Sequence, residues 1–491
     1  MHADPRTPVL IGAGQVNQRD DQSPVEPVEL MAVAARRAVD ARVLEAVDSI
    51  RVVKLLSWRY RDPGLLLGQK IGAEDFSTSC SGVGGNVPQS LVSQACRDIT
   101  AGRSEIVMIA GAEAWRTRMR LRAAGVRPAW TQQDDTVPAL PEGDDVPMVG
   151  PGELRIELLR PAHVYPMFEQ ALRINAGEDS EQHRRRIGEL WSQFSAVAAG
   201  NSHAWSRTRR SAEDIWRPGP DNRMISWPYT KLMNANNMVD QSAVVVLASA
   251  EAARRLRVPT DRWVFPYAAT DSHDTYAIGE RADLHSSPAI RIAGRRALEL
   301  AGCGIDDIDL VDLYSCFPSA VQIAAAELGL PVGDPARPLT VTGGLTFAGG
   351  PWNNYVTHSI GTMAELLVDR PGSVGLVSAN GGWLTKHSIG LYGTQPPPAG
   401  FRWEDVQPEV DRQPVAKAMT EWAGVGTIES WTAPFDRDGN PEKAFVAVRT
   451  PDDARTMAVL TDSGDVAASV RDDIAGAAVR VNADGTATLE D

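Results

Sequence analysis

Apolar and polar positions alternate along most of this chain in two rhythms. Short apolar runs that close on glycine read as buried strands, and longer stretches with Leu, Val and Ala at helical spacing read as helices. Pro8 to Ala13 predicts a strand, Val28 to Ala41 a helix, Gly85 to Ala101 a helix and Glu105 to Ala110 the strand after it. Residues 115–231 break the rhythm. They are rich in Pro, Trp, Arg and Asp, with a helix over Ser180 to Ser202 but few strands, and read as an inserted lobe. Alternation resumes with the strand Gln241 to Ser249, and a second round opens near Trp263. Its elements are a helix over Pro288 to Ala301, a strand over Ile308 to Leu313 and a helix over Ser319 to Leu328. A Gly-rich loop from Gly343 then leads into a helix over Val356 to Leu367, followed by a strand over Ser373 to Ser378. Such runs favour parallel sheets with helical crossovers.

The stretch Thr394 to Gly400 (TQPPPAG) is a linker signal. Beyond it, segments at Gly426 to Thr432, Ala444 to Arg449, Met457 to Thr461 and Ala477 to Val481 alternate. With turns at Asp438-Gly439 and Ser463-Gly464, they predict a small β-barrel or sandwich.

At 491 residues the chain asks for two or three domains. Its formal charge is −14, and the last 91 residues, with 18 acids and 9 bases, carry −9 of it. That balance disfavours general nucleic-acid or anionic-membrane binding. Arg outnumbers Lys by 43 to 6, which reads more simply as a codon bias than as phosphate clamps. Cys80, Cys96, Cys303 and Cys316 form neither a disulfide framework nor a zinc spacing, and the eight His are scattered. With no apolar run near the ~18 residues of a membrane span, and no signal-peptide core, a reduced cytoplasmic protein is expected. Gly12-Ala13-Gly14 is a weak dinucleotide signal because the third glycine is Asn17. Gly84-Gly85-Asn86 before a helix is more useful, since free backbone N–H groups there can hold a carbonyl or oxyanion; a tight strand-to-helix turn is the plainer reading.

Several motifs carry a family likeness. ALELAGCGIDDIDLVDLYSCFPSAVQIAAAELGL (Ala297 to Leu330) resembles the second half of the thiolase superfamily, and GGLTFAGGPWNNY (Gly343 to Tyr355) the loop bearing its Gly-His-Pro. Arg97 to Trp115 resembles the segment after the nucleophilic cysteine, and Asp240 to Val258 the end of the first half. The likeness spans about residues 7 to 393. It implies two βαβαβαββ halves packed in five layers. The expected division is residues 1–250 with the lobe, 251–395, and an additional domain over 401–491.

The departures bear on chemistry. Counting back from Gly102 and Gly111, the nucleophile position falls on Gly85, while Cys80 lies five residues earlier and off the helix start that would activate it. The His of Gly-His-Pro is Gly350, and Asn-Glu-Ala-Phe reads Tyr314-Ser315-Cys316-Phe317, closer to the sterol-carrier-protein-type thiolases. The closing loop SANGGWLTKHSIGLYG places His387 on that branch's histidine. The tail resembles the OB-fold part of DUF35 proteins, which pair with thiolase-like aldolases that also lack the cysteine; the fused arrangement is similar to thiolase-like protein type 1.

The resemblance therefore implies an acyl-CoA enzyme acting on C–C bonds of a lipid or sterol-derived thioester, by retro-aldol or Claisen-type chemistry. Expected catalytic residues are Tyr314, Tyr355, Cys316 and His387, with Gly85, Asn86, Gly350 and His358 around the thioester oxygen. Tyr314 and Cys316 could equally be packing at a strand end, His358 a satisfied structural histidine, and His387 a turn cap. Coenzyme A is expected as part of the substrate, with no resident cofactor or metal, and the chain as a monomer or homodimer. Two alternatives stay open: an acetyl-CoA acetyltransferase-type enzyme using Cys80 or Cys316, and a non-catalytic CoA or lipid binder.

Overall fold

The computed structural model describes residues 4–141, 146 and 148–490. The first sheet contains β1 (Pro8–Asn17), β2 (Ser49–Val52), β3 (Ser77–Cys80) and β4 (Ile106–Ala114). After β4 the chain runs through the lobe, which holds the helices Pro161–Ala176 and Ser180–Gly200 and a hairpin of β5 (Met224–Ser226) and β6 (Tyr229–Thr230). It returns as β7 (Asp240–Ser249), buried throughout, which lies antiparallel between β1 and β4 and completes the order β1-β7-β4-β2-β3. A central strand covered on both faces explains the continuous apolar run AVVVLA.

The second sheet is built from β8 (Phe265–His273), β9 (Leu310–Asp312), β10 (Val374–Gly381), β11 (Lys386–Gly393) and β12 (Arg402–Asp405), in the order β12-β8-β11-β10-β9. Among the described residues no third strand pairs beside β9; residues 339–342 run alongside it with one ladder-like bond, Leu313 N–H to Leu339 O at 2.9 Å. The opposite edge gains β12, which pairs parallel with β8.

Helix boundaries follow local chemistry. Proline opens the helices Pro63–Ile71 and Pro288–Ala301, where its missing N–H costs nothing, and the Asp62 and Ser287 side chains cap them. Gly302, at φ 73°, closes the second. The helix expected from Gly85 begins at Val87. Two helices, Val87–Thr100 and Tyr355–Val368, pack against strands of both sheets and form the middle layer. Pro27–Ala38 and Pro63–Ile71 cover the first sheet and Pro288–Ala301 the second, which gives five layers.

The C-terminal barrel is closed by β13 (Gly424–Thr432), β14 (Ala444–Arg449), β15 (Arg455–Leu460), β16 (Ala478–Val481) and β17 (Thr486–Leu489), in the order β13-β14-β15-β17-β16. A helix, Ser463–Arg471, sits between the third and fourth strands. This is the connection pattern of an OB-fold. Ser463-Gly464, read from sequence as a turn, starts that helix because the Asp462 carboxylate accepts from Gly464 and Asp465 N–H.

Candidate functional site

The starts of the two central helices meet. Gly84 N–H donates to Asn353 Oδ1 at 3.0 Å, and Asn353 lies two residues before the helix that opens at Tyr355. Both positive helix ends therefore point at one place. Gly85 is packed there without room for a side chain. A Cβ on it would stand 2.3 Å from the Tyr314 hydroxyl, 2.7 Å from Tyr314 Cζ and 2.4 Å from the Asn380 carbonyl oxygen. The Tyr314 phenol thus fills the space into which a nucleophilic side chain at position 85 would project.

Tyr314 follows β9, and its own N–H is held by Ser378 Oγ at 2.9 Å. Burial raises its hydroxyl pKa above the ordinary tyrosine value, so the neutral phenol persists. Its ring meets Tyr355 edge to face, with centroids 5.5 Å apart. Tyr355 itself is engaged: its hydroxyl contacts Thr342 Oγ1 at 2.6 Å and donates to Asp312 Oδ2 at 3.0 Å. Burial raises the Asp312 pKa, while N–H and O–H donors around it hold the carboxyl in place.

His387, on β11, shares with Tyr314, Asn380 and Ser378 the lining of a cavity of about 10 Å³, the lower limit for one water. Its Nε2 faces two acceptors, Leu384 O at 3.2 Å and Asp274 Oδ2 at 3.5 Å, which fixes the proton on Nε2 and leaves Nδ1 the basic nitrogen. Against the effect of burial, Arg281 and His387 hold the Asp274 carboxyl below its ordinary value, so it stays charged.

Cys316 is buried, and burial pushes its thiol up to about 12. Asn380 Nδ2 points at its sulfur from 3.9 Å and also donates to Tyr165 Oη at 2.9 Å. Asn86 does not cap its helix by a side-chain bond; its Oδ1 is buried between Gly84 and Gly381 with no hydrogen-bond partner among the described residues. Gly350 donates to Asn236 O at 2.9 Å and backs onto Asn237. His358 lies apart from the Tyr314 cavity: its Nδ1 meets Gln15 Oε1 of β1 at 2.8 Å, and burial pushes its pKa down to about 3. Cys80 ends the edge strand β3, paired with Val52, and among the described residues none of the four cysteines is in a disulfide. Among the described residues no group of three or more His, Cys, Asp and Glu could hold a metal.

Sequence reasoning brought Gly85, Tyr314, Tyr355, Cys316 and His387 to one region but passed over Asn353, Asn380, Asp274 and Asp312. The doubled asparagine of PWNNY, directly before Tyr355, is the signal that could have found the first.

Comparison with known proteins agrees with this architecture. Residues 270–351 match the thiolase C-terminal domain-like family and residues 405–486 the thiolase-like protein type 1 additional C-terminal domain. A monomeric SCP2-thiolase-like protein type 1 from Mycobacterium smegmatis is 31% identical, with each chain covered over 100% of its length and a TM-score of 0.84. This chain belongs to the SCP2-thiolase-like protein type 1 family. For the wider fold, an Ltp2-ChsH2(DUF35) aldolase superposes with a TM-score of 0.59 at 19% identity, over 79% of this chain and 98% of that one. Human mitochondrial 3-ketoacyl-CoA thiolase gives 0.56 at 16%, over 80% and 100%. An acetyl-CoA acetyltransferase of Methanothermobacter thermautotrophicus is 30% identical over 109 residues, 22% of this chain; the match spans only 27% of that relative's length. Among the described residues of this type 1 protein, no helix is long and apolar enough to cross a membrane.

Proposed function

We propose that this protein acts on a C–C bond beside the thioester of an acyl-CoA, without a covalent acyl-enzyme. The observation carrying this reading is the Tyr314 hydroxyl, 2.3 Å from where a Cβ on Gly85 would lie. A neutral phenol there suits a general acid, not a nucleophile. In retro-aldol cleavage, His387 Nδ1 takes the proton of a β-hydroxyl, the Cα–Cβ bond breaks, and its electrons become the enolate of the thioester. Tyr314 donates to that enolate oxygen, and both helix starts stabilise the charge. Return of the proton from His387 to Cα, directly or through solvent, restores the base and releases a shortened acyl-CoA and a carbonyl product. Asp274, held charged by Arg281, orients His387 and balances the imidazolium that forms.

An acyltransferase reading with Cys316 as nucleophile is opposed by a thiol pushed up to about 12. A non-catalytic CoA binder is favoured by one observation, the small volume of the cavity beside Tyr314. The deciding measurement is turnover of β-hydroxyacyl-CoA thioesters by the wild type and Tyr314→Phe. Cleavage falling by about 10²- to 10⁴-fold in the variant is expected. Absence of any wild-type cleavage, or an unchanged rate in Tyr314→Phe, sinks the proposal.

A further inference from the structure

A second feature of the first sheet lies outside the Tyr314 cavity. Strands β2 and β4 are parallel neighbours. The connection leaving β2 leads to β3 on one side, whereas the one leaving β4 leads through the lobe to β7 on the other. Loops that part in opposite directions from adjacent strand ends open a crevice, and open α/β sheets bind ligands in such crevices. Here it is a cleft of about 870 Å³, walled by residues from Lys54–Arg61 after β2 and from Arg118–Leu140 after β4.

The charge of this cleft runs against that of the chain. Among the described residues, five that line it are basic, Lys54, Arg59, Arg61, Arg118 and Arg127, and one, Asp135, is acidic, in a protein of net charge −14. Some of the cations are already engaged: Arg61 holds Val137 O and Asp135, and Arg118 donates to Leu56 O. Arg59 and Arg127 are exposed and make no ion pair among the described residues. Trp58 adds an aromatic wall, braced edge to face by Trp130 at 5.2 Å. Exposed guanidinium groups beside an aromatic surface suit a diphosphate ester carrying a flat base.

The cleft also adjoins the catalytic pocket through one side chain. Asn353 Nδ2 donates to Lys54 O at 2.9 Å on the cleft floor, while its Oδ1 accepts from Gly84 N–H next to Gly85. We propose that this crevice binds the nucleoside diphosphate end of the substrate thioester, with Arg59 and Arg127 on its phosphates. This rests on the functional reading above for the position of the thioester, but its test does not depend on turnover.

The experiment is titration calorimetry of the full chain and of Arg59→Glu/Arg127→Glu with ADP, with an acyl-CoA and with the matching acyl-pantetheine, which lacks the nucleotide. ADP should compete with acyl-CoA, and both should bind about tenfold or more weakly to the double variant. Acyl-pantetheine affinity should not change. Equal acyl-CoA affinity for both proteins, whether or not ADP binding is lost, overturns the inference. If the affinities shift as expected but no thioester is turned over, the crevice stands and the catalytic proposal falls. If Tyr314→Phe abolishes turnover while the double variant keeps wild-type affinity for acyl-CoA, the reverse holds.

Discussion

At the scale of single residues, the site turns on a glycine that has no space to be anything else. An added Cβ at Gly85 meets both the Tyr314 hydroxyl and the backbone oxygen of Asn380. Only the first of these can be removed by mutation. Gly85→Ala is therefore expected to cost roughly 1–3 kcal/mol, the range for overpacking a filled site. Tyr314→Phe in the same chain should recover part of that loss, because the Asn380 carbonyl remains. Urea denaturation of the two single variants and the double variant measures the coupling; additive costs would separate Gly85 from Tyr314. Position 85 was legible because strand and glycine landmarks on both sides fix the count. The partner that fills its space was legible only as a motif letter, since Tyr314 is 229 positions away. Asn353 left only the doubled asparagine before Tyr355 as a signal, and Asn380 none, because a lone amide carries no periodicity and its meaning lies in what it touches.

Whole elements were easier to foresee where burial sets a rhythm and harder where polar groups replace a ladder. Among the described residues of the second half, the segment beside β9 forms no ladder, for a reason visible at Asp312. That carboxylate accepts from Val341 N–H at 2.9 Å and binds the Thr340 hydroxyl at 2.8 Å, so this segment's polar groups turn to a side chain instead of a neighbouring strand. Strand β17, four residues long, is too short for its alternation to stand out. A similar side-chain tie joins β4 to the loop after β2: Glu113 accepts from Leu56 N–H and Ser57 N–H, each at 2.7 Å. Burial pushes its pKa up to about 7 from an ordinary 4.5. The folded protein then binds more protons than the unfolded chain between those values, so stability due to this group is full below about 4.5 and is lost as pH rises through about 7. The loss is on the order of 3 kcal/mol. Glu113→Gln should flatten that part of the stability profile between pH 5 and 8, read by denaturant midpoints. An unchanged slope would falsify the assignment to Glu113.

The whole molecule shows why an acidic barrel is joined to this core. OB-folds that take oligonucleotides do so over their second and third strands. Here the outward residues of those strands, Phe445, Ala447 and Met457, belong to the same core as Tyr165 and Val164 of the lobe, and Phe445 meets the His163 ring at 5.7 Å. Inward residues Ala444, Val446 and Val448 fill the barrel itself. The −9 of the tail pointed away from nucleic acid; the fold adds that the relevant face is occupied. Docking is pinned by Arg455, fully buried, which donates to Glu429 at 2.6 and 2.7 Å and to carbonyl oxygens at Ile278 and Gly279. Although burial opposes it, Arg455 and Arg449 hold the Glu429 carboxyl below its ordinary value, so the pair is charged. Removing Arg455 leaves Glu429 with Arg449 alone, at a cost below the roughly 3–5 kcal/mol of a fully stranded buried charge, and removing both is milder still. Arg455→Met should therefore loosen the barrel and admit protease near residues 278–282 before the core unfolds, and Glu429→Gln in the same chain should restore resistance. If Arg455→Met resists proteolysis as the wild type does, the apolar face alone holds the barrel, and Phe445→Ala becomes the substitution that releases it.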